Sequence, residues 1–350
     1  MSATEKRVQS DISVVICAYT EERWHDLVAA VESLQQQSSA PHEIIVVIDH
    51  NPRLLYRVQE HIPGVIVLAN GQAKGLSGAR NSGAASAQGD VVAFLDDDAC
   101  ADPHWIEHLA ECYTDPQVAG VGGRIEPLWS GTRPAWFPPE FNWVVGCTYK
   151  GMPLEPAPVR NMIGANMSLR RGVLHAVGGF RLSFGCDKGS SSGPFARWLR
   201  HHAGDEETEF CIRVARSWPN NTLLYAPSAV VHHRVSEGRM RWRYFAWRCY
   251  DEGLGKAALV KLHGAQTSLS SERSYTSRTL PAGIVRNMLA FVARGDLSAL
   301  TRAAAIGLGF AATVAGYIVG SIYQLAHTEE QETEHIATHT EAVYALQEES

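Results

Sequence analysis

The chain has 350 residues, 45% hydrophobic and 19% charged, with a formal net charge of −6. That is enough chain and apolar content for one large α/β domain plus an accessory segment, and the acidic balance excludes a general nucleic-acid binder. Seven scattered cysteines with no C-x-x-C pair exclude a zinc or disulfide framework and fit a reducing compartment.

The polar start, MSATEKRVQSD, has no apolar h-region, so no signal peptide is expected and the catalytic part is expected to face the cytoplasm. Residues 1–10 read as a disordered tail. The next stretch alternates short apolar runs with helical patterns: a strand at 12–18, a helix at 22–36, a strand at 43–48, a helix around 54–61, a strand at 65–69, a helix at 76–87 and a strand at 91–95. This rhythm predicts a mostly parallel twisted sheet with right-handed crossovers. A helix at 105–113 and a strand near 118–123 follow. From 127 to 158 Trp, Pro and Gly predominate without a period, the mark of an ordered loop near a site. Regular structure restarts over 161–182, and 184–205 is a Gly/Ser-rich loop whose Asp187 and Lys188 read either as a lid or as an ordinary exposed turn. A helix at 206–217 and a last strand at 222–231 complete this part.

The run Val91–Leu95 ends in Asp96-Asp97-Asp98. Ligands of open α/β sheets bind at the carboxyl ends of strands. Three adjacent carboxylates repel one another unless a cation lies between them, and Mg²⁺ or Mn²⁺ carrying phosphate oxygens is the natural guest. The alternative is a solvated acidic turn. A second acid cluster, Asp205-Glu206-Glu207 with Glu209, suits either a helix N-terminus or a base whose pKa is raised by its neighbours.

In this order the motifs resemble those of an inverting family 2 glycosyltransferase with the GT-A fold, over roughly residues 11–236. The resemblance rests on Ser13–Glu22, on the strand ending in Asp49, on Gly75-Leu76-Ser77-Gly78-Ala79-Arg80-Asn81, on Asp96–Asp98 in place of a D-x-D, on Gly164–Ser168 and Gly178–Phe180, and on Glu206-Glu207-Thr208-Glu209 with Arg213. It implies Glu207 as catalytic base, where the family commonly has Asp. It implies donor contacts from Ala18, Tyr19, Glu21, Asp49, Gly75, Arg80, Asn81, Asp96, Asn166 and Glu206, with Asp97 counted beside them but given no separate task. Asp98 would hold Mn²⁺ or Mg²⁺, helped by His232 and His233. The donor would be a nucleotide-diphospho sugar, a UDP-sugar by preference, and the acceptor a carbohydrate, a lipid-linked sugar or a small molecule. Residues 11–125 would then form the nucleotide-sugar half and 126–236 the acceptor and catalytic half. Two other readings remain open: a nucleotidyltransferase of similar topology, and a non-catalytic membrane-docked module. The first would need a Gly-rich basic loop after the first strand, where this chain has the acidic Tyr19-Thr20-Glu21-Glu22-Arg23.

Residues 237–325 read as a helical extension. Arg239–Arg248 interleaves cations and aromatics and suits an anionic membrane surface or a phosphate-bearing acceptor. Arg241-Trp242 matches part of the Gln-x-x-Arg-Trp of processive relatives, but Gly238 replaces the Gln, so no polymer synthase is inferred. After a Ser/Thr linker at 267–279 comes an amphipathic helix near 284–293. The uncharged segment 303–323 is long enough to span a bilayer, and equally suited to be a helix packed on the domain. The acid-rich 326–350 reads as a flexible tail.

Overall fold

The structure, a computed structural model, describes residues 11–182 and 205–348, with side chains as far as Tyr323. The expected tail at 1–10 and the loop carrying Asp187 and Lys188 lie outside the described residues.

Strands β1 (Ile12–Ala18), β2 (Glu43–Ile48), β3 (Ile66–Ala69) and β4 (Val91–Asp96) form the parallel half of one sheet, ordered β3-β2-β1-β4. Their β-branched runs are buried because helices cover both faces: α1 (Trp24–Gln35) and α2 (Pro52–His61) pack with one core cluster, and α3 (Leu76–Ser86) with the other. Register decides what this half is for. Cys17 lies opposite Asp96, and Ala18 opposite Ile48. The carboxyl ends are therefore level, and Asp49 and Asp96 emerge on the same rim.

Beyond β4 the sheet is mixed rather than parallel. It adds β5 (Ala99–Ala101), β6 (Val118–Trp129), β7 (Ala157–Pro158), β8 (Asn166–Arg170) and β9 (Thr222–Val235), in the order β4-β8-β6-β9-β5, with β7 also on β9. Antiparallel pairs β4–β8, β8–β6 and β9–β5 alternate with the parallel pair β6–β9. Helices α4 (Trp105–Cys112), α5 (Arg171–Val177) and α6 (Glu206–Ser217) complete this half.

A helical extension follows: α7 (Trp242–His263), α8 (Leu280–Arg294) and α9 (Leu297–Glu348). The polar stretch expected as a linker is instead short helical turns over 265–279, anchored by Arg160, which pairs with Glu272 at 2.7 Å, and by Trp143, whose indole donates to the Tyr275 hydroxyl at 3.0 Å. The range read as an acidic tail continues α9 to Glu348.

Candidate active site

Asp98 follows β4, and the pairing of Ala99 with His233 brings β9 alongside it. The imidazole Nε2 of His233 lies 3.0 Å from Asp98 Oδ1 and 4.0 Å from Asp96 Oδ2. Among the described residues these three are the group with metal-ligand geometry, their ligand atoms all within 4.8 Å of one another. Two carboxylates and an imidazole suit a divalent cation of the Mn²⁺ or Mg²⁺ type, with room left for phosphate oxygens. Nδ1 of His233 faces Cys147 Sγ at 3.9 Å, which leaves Nε2 as the nitrogen aimed at the carboxylates.

Strand alternation separates the two adjacent histidines. His233 is buried, whereas His232 points to the other face and is exposed. Of the two histidines expected to serve one metal, only His233 lies beside Asp96 and Asp98.

The three aspartates have three different surroundings. Asp97 receives a hydrogen bond from Arg23 at 2.7 Å, and its Oδ2 is buried with no hydrogen-bond partner among the described residues. Burial pushes its carboxyl up to about 6 despite the Arg23 charge. Burial also works against the charge on Asp98. There the hydrogen bond and field of His233, with Arg23 at 3.3 Å and Arg239 at 3.7 Å, win and hold it down at about 2. Asp96, the most exposed of the three, meets Arg80 Nη2 at 3.7 Å.

Arg80 is the strut of the site. It is 3% exposed and reaches from α3 to Glu206 Oε1 at 2.9 Å, tying the rim of β4 to the N-terminus of α6. Glu207, the next residue, has a buried Oε2 with no hydrogen-bond partner among the described residues. Burial and then the charge of Glu206 push its carboxyl well above the ordinary range, and Arg80 pulls the other way. Glu207 lines a cavity of about 220 Å³ with Trp143, Tyr149, Arg160, Lys256 and Phe310. A carboxylate with one oxygen left without a partner among the described residues and a raised pKa, at a cavity wall, is suited to accept a proton from a bound hydroxyl.

On the nucleotide side, Asp49 is 8% exposed and accepts from Asn70 Nδ2 at 2.6 Å and from the Gly75 amide at 2.9 Å. Gly75 has φ 127°, a conformation that favours glycine, and it caps α3. Tyr19 is 54% exposed on the rim after Ala18, whose carbonyl accepts the Asp49 amide.

Comparison with known proteins now decides the family. The profile of Glycosyl transferase family 2 matches residues 13–178. The glucosyl-dolichyl phosphate glucuronosyltransferase of Haloferax volcanii is 32% identical over 313 residues, covering 88% of this chain and 96% of the relative.

The chain belongs to glycosyl transferase family 2.

The succinoglycan biosynthesis protein ExoM of Rhizobium meliloti is 24% identical over 72% of this chain and 77% of its own. In fold, the chain is similar to a mannosyltransferase from Pyrobaculum calidifontis in complex with GDP-Man and Mn²⁺, with TM-score 0.54 and 15% identity over 91% of this chain and 87% of that one. It is thus a glycosyltransferase with the GT-A fold that transfers sugar from a nucleotide donor, and the nucleotidyltransferase and non-catalytic readings fall away.

Not every residue picked from the motifs reaches the centre of this family 2 enzyme. The carboxamide of Asn166 is spent inside the fold: it accepts from Trp105 Nε1 at 2.9 Å and donates to the carbonyls of Arg124 and Ala229 at 3.0 and 2.9 Å. It thereby closes the irregularity where β6 and β9 slip register after Gly123. Asn81 exchanges two hydrogen bonds with the Phe180 backbone, at 2.8 and 2.7 Å, and so pins the turn after α5. In the structure both side chains act as ties within the fold. Glu21 faces Arg53 at 3.7 Å beside an open recess on α2. Sequence reasoning gave no role to Arg23, Arg160 or Lys256, because nothing in their local pattern signals their partners Asp97, Glu272 and Asp205.

Proposed function

We propose that this enzyme is metal-dependent and inverting, and that it moves a sugar from a UDP-sugar to a hydroxyl of a lipid-phosphate-linked saccharide at a cytoplasmic membrane surface. The observation that carries the reading is the pairing of two sites through Arg80: the Asp96, Asp98, His233 group on one side and, on the other, Glu207, whose Oε2 has no hydrogen-bond partner among the described residues. A divalent cation held by the first group would neutralise the charge developing on the departing diphosphate. Asp49 and the rim after β1 would hold the nucleotide. Glu207 would take the acceptor hydroxyl proton as the acceptor oxygen bonds to the anomeric carbon and the diphosphate leaves with the bonding electrons. Attack opposite the leaving group inverts that carbon. The near full-length relative named for a glucosyl-dolichyl phosphate acceptor and a glucuronosyl donor supports the lipid-linked acceptor and makes a uronosyl donor the first to test.

The test is a donor panel (UDP-glucuronic acid, UDP-glucose, GDP-mannose) with Mn²⁺ or Mg²⁺ and glucosyl-dolichyl phosphate, with products read by mass spectrometry. Asp98→Asn should abolish the stabilisation of the protein by Mn²⁺ with UDP and lower turnover about a hundredfold or more. Turnover unchanged in Asp98→Asn, or full activity in a chelator, overturns the reading.

A further inference from the structure

Helix α9 passes the length and composition test for a membrane span between Leu297 and Tyr323, yet its packing argues for a different use. Residues Ala305, Ile306, Gly309, Gly316 and Gly320 are buried along one face. At 100° per residue the exposed Leu297, Leu300, Leu308, Ile318 and Ile322 fall on the opposite face. The buried face meets α7 at backbone distance: a Cβ on Gly316 would lie 1.9 Å from the Tyr250 carbonyl oxygen, and one on Gly253 2.0 Å from that of Thr313. From Ala305 to Gly320, about 22 Å of helix, α9 is thus sealed against a helix bearing Arg248, Asp251, Glu252 and Lys256. Crossing a bilayer in this arrangement would carry those charges into hydrocarbon.

The preceding helix repeats the pattern. In α8 the exposed Val285, Met288, Leu289 and Val292 are spaced as one ridge, whereas Gly283 and Asn287 face the protein. Around the two ridges, residues 273–323 contain five arginines and a single acid, Asp296, which Arg302 pairs at 2.9 Å; the chain as a whole is acidic. Arg273, Arg278 and Arg294 are exposed, and Trp242 at the start of α7 is 42% exposed between Arg241 and Arg243. Apolar ridges rimmed by arginine and tryptophan have the chemistry of an anionic lipid surface. The same helices bound the cavity of Glu207: Leu280 of α8 and Phe310 and Thr313 of α9 are among its walls.

We propose that the outer faces of α8 and α9 seat the enzyme in the surface of an anionic lipid bilayer, with α9 lying in the membrane plane rather than crossing it. The seat extends the reading of a lipid-linked acceptor, since it would bring the Glu207 cavity to the level of the lipid headgroups. The binding assay uses no sugar and no acceptor, so either reading can fail alone.

The full-length protein is floated with vesicles of phosphatidylcholine, or of phosphatidylcholine mixed with phosphatidylglycerol, at low and high salt. Two double variants, Leu289→Glu with Val292→Glu on α8 and Leu308→Glu with Ile318→Glu on α9, change only exposed positions. The wild type should float with the anionic vesicles, less so in high salt, and be released by alkaline carbonate. Each double variant should partition about tenfold less while melting at the wild-type temperature. Four results overturn the proposal: no flotation with the anionic vesicles, flotation undiminished in the variants, retention of the wild type after carbonate as for a spanning helix, or a wild-type dimer that the same substitutions split, which would give the ridges to a second copy.

Discussion

Replacing Glu207 by Gln separates the chemistry of the site from its cost to the fold. The two side chains have nearly the same shape, but the Gln cannot take a proton or carry charge. Loss of a general base lowers turnover by about 10²- to 10⁴-fold, and turnover of the variant should fall in that range with little change in donor KM. Stability should move the other way. In the wild type, Oε2 is buried with no partner among the described residues, and burial together with Glu206 raises the pKa well above the ordinary value. The fold therefore favours the protonated acid. That contribution is whole below the unfolded-state pKa and is lost as pH rises through the folded one. Wild type and variant should match near about pH 4 and diverge in favour of Gln toward about pH 8, by on the order of 1 kcal/mol, the low end of the cost of an unsatisfied buried polar group. Urea unfolding at several pH values and nucleotide release under saturating donor read the two effects. A stability difference independent of pH, or turnover within about threefold of wild type, would refute the reasoning.

Other expectations test the framework around this residue. Gly316→Ala should destabilise by roughly 1–3 kcal/mol, because its Cβ would meet a backbone oxygen that cannot swing aside. Gly307→Ala in the same helix, with nothing within 4 Å of its Cβ, should stabilise by about 0.5–1 kcal/mol; equal effects in urea melts would contradict the close packing of α7 and α9. Asn166→Ala should cost roughly 2–4 kcal/mol by orphaning three partners, two of them in buried hydrogen bonds, while donor KM of the folded enzyme stays within about twofold. A raised KM at unchanged stability would return Asn166 to the donor site. His233→Ala should weaken the Mn²⁺-dependent thermal shift, and His232→Ala should leave it intact; isothermal titration with Mn²⁺ distinguishes them.

The order of strands and helices through β4 could be read from the sequence because periodicity is a local property: β-branched runs of a parallel strand and the 3.6-residue spacing of a helix are written in neighbouring residues. The motif order named the family for the same reason, and it placed Asp49, Arg80, Asp96, Asp98 and Glu207 on strand ends and helix starts. Side-chain partnership is different. Arg23 with Asp97, or Arg160 with Glu272, joins residues distant in sequence, and only the folded sheet brings them within reach. A motif marks that Asn166 matters; the hydrogen bonds it makes inside the fold were visible only in the structure.

The three carboxylates at the end of β4 were thus legible in the sequence alone, as was the presence of an apolar C-terminal segment. Tertiary structure decided which histidine joins them, since a strand shows alternate residues to opposite faces and the Ala99–His233 register selects one. It also decided that α9 rests on a charged helix, because the backbone contact at Gly253 and Gly316 depends on how two helices cross, and no single helix encodes its crossing.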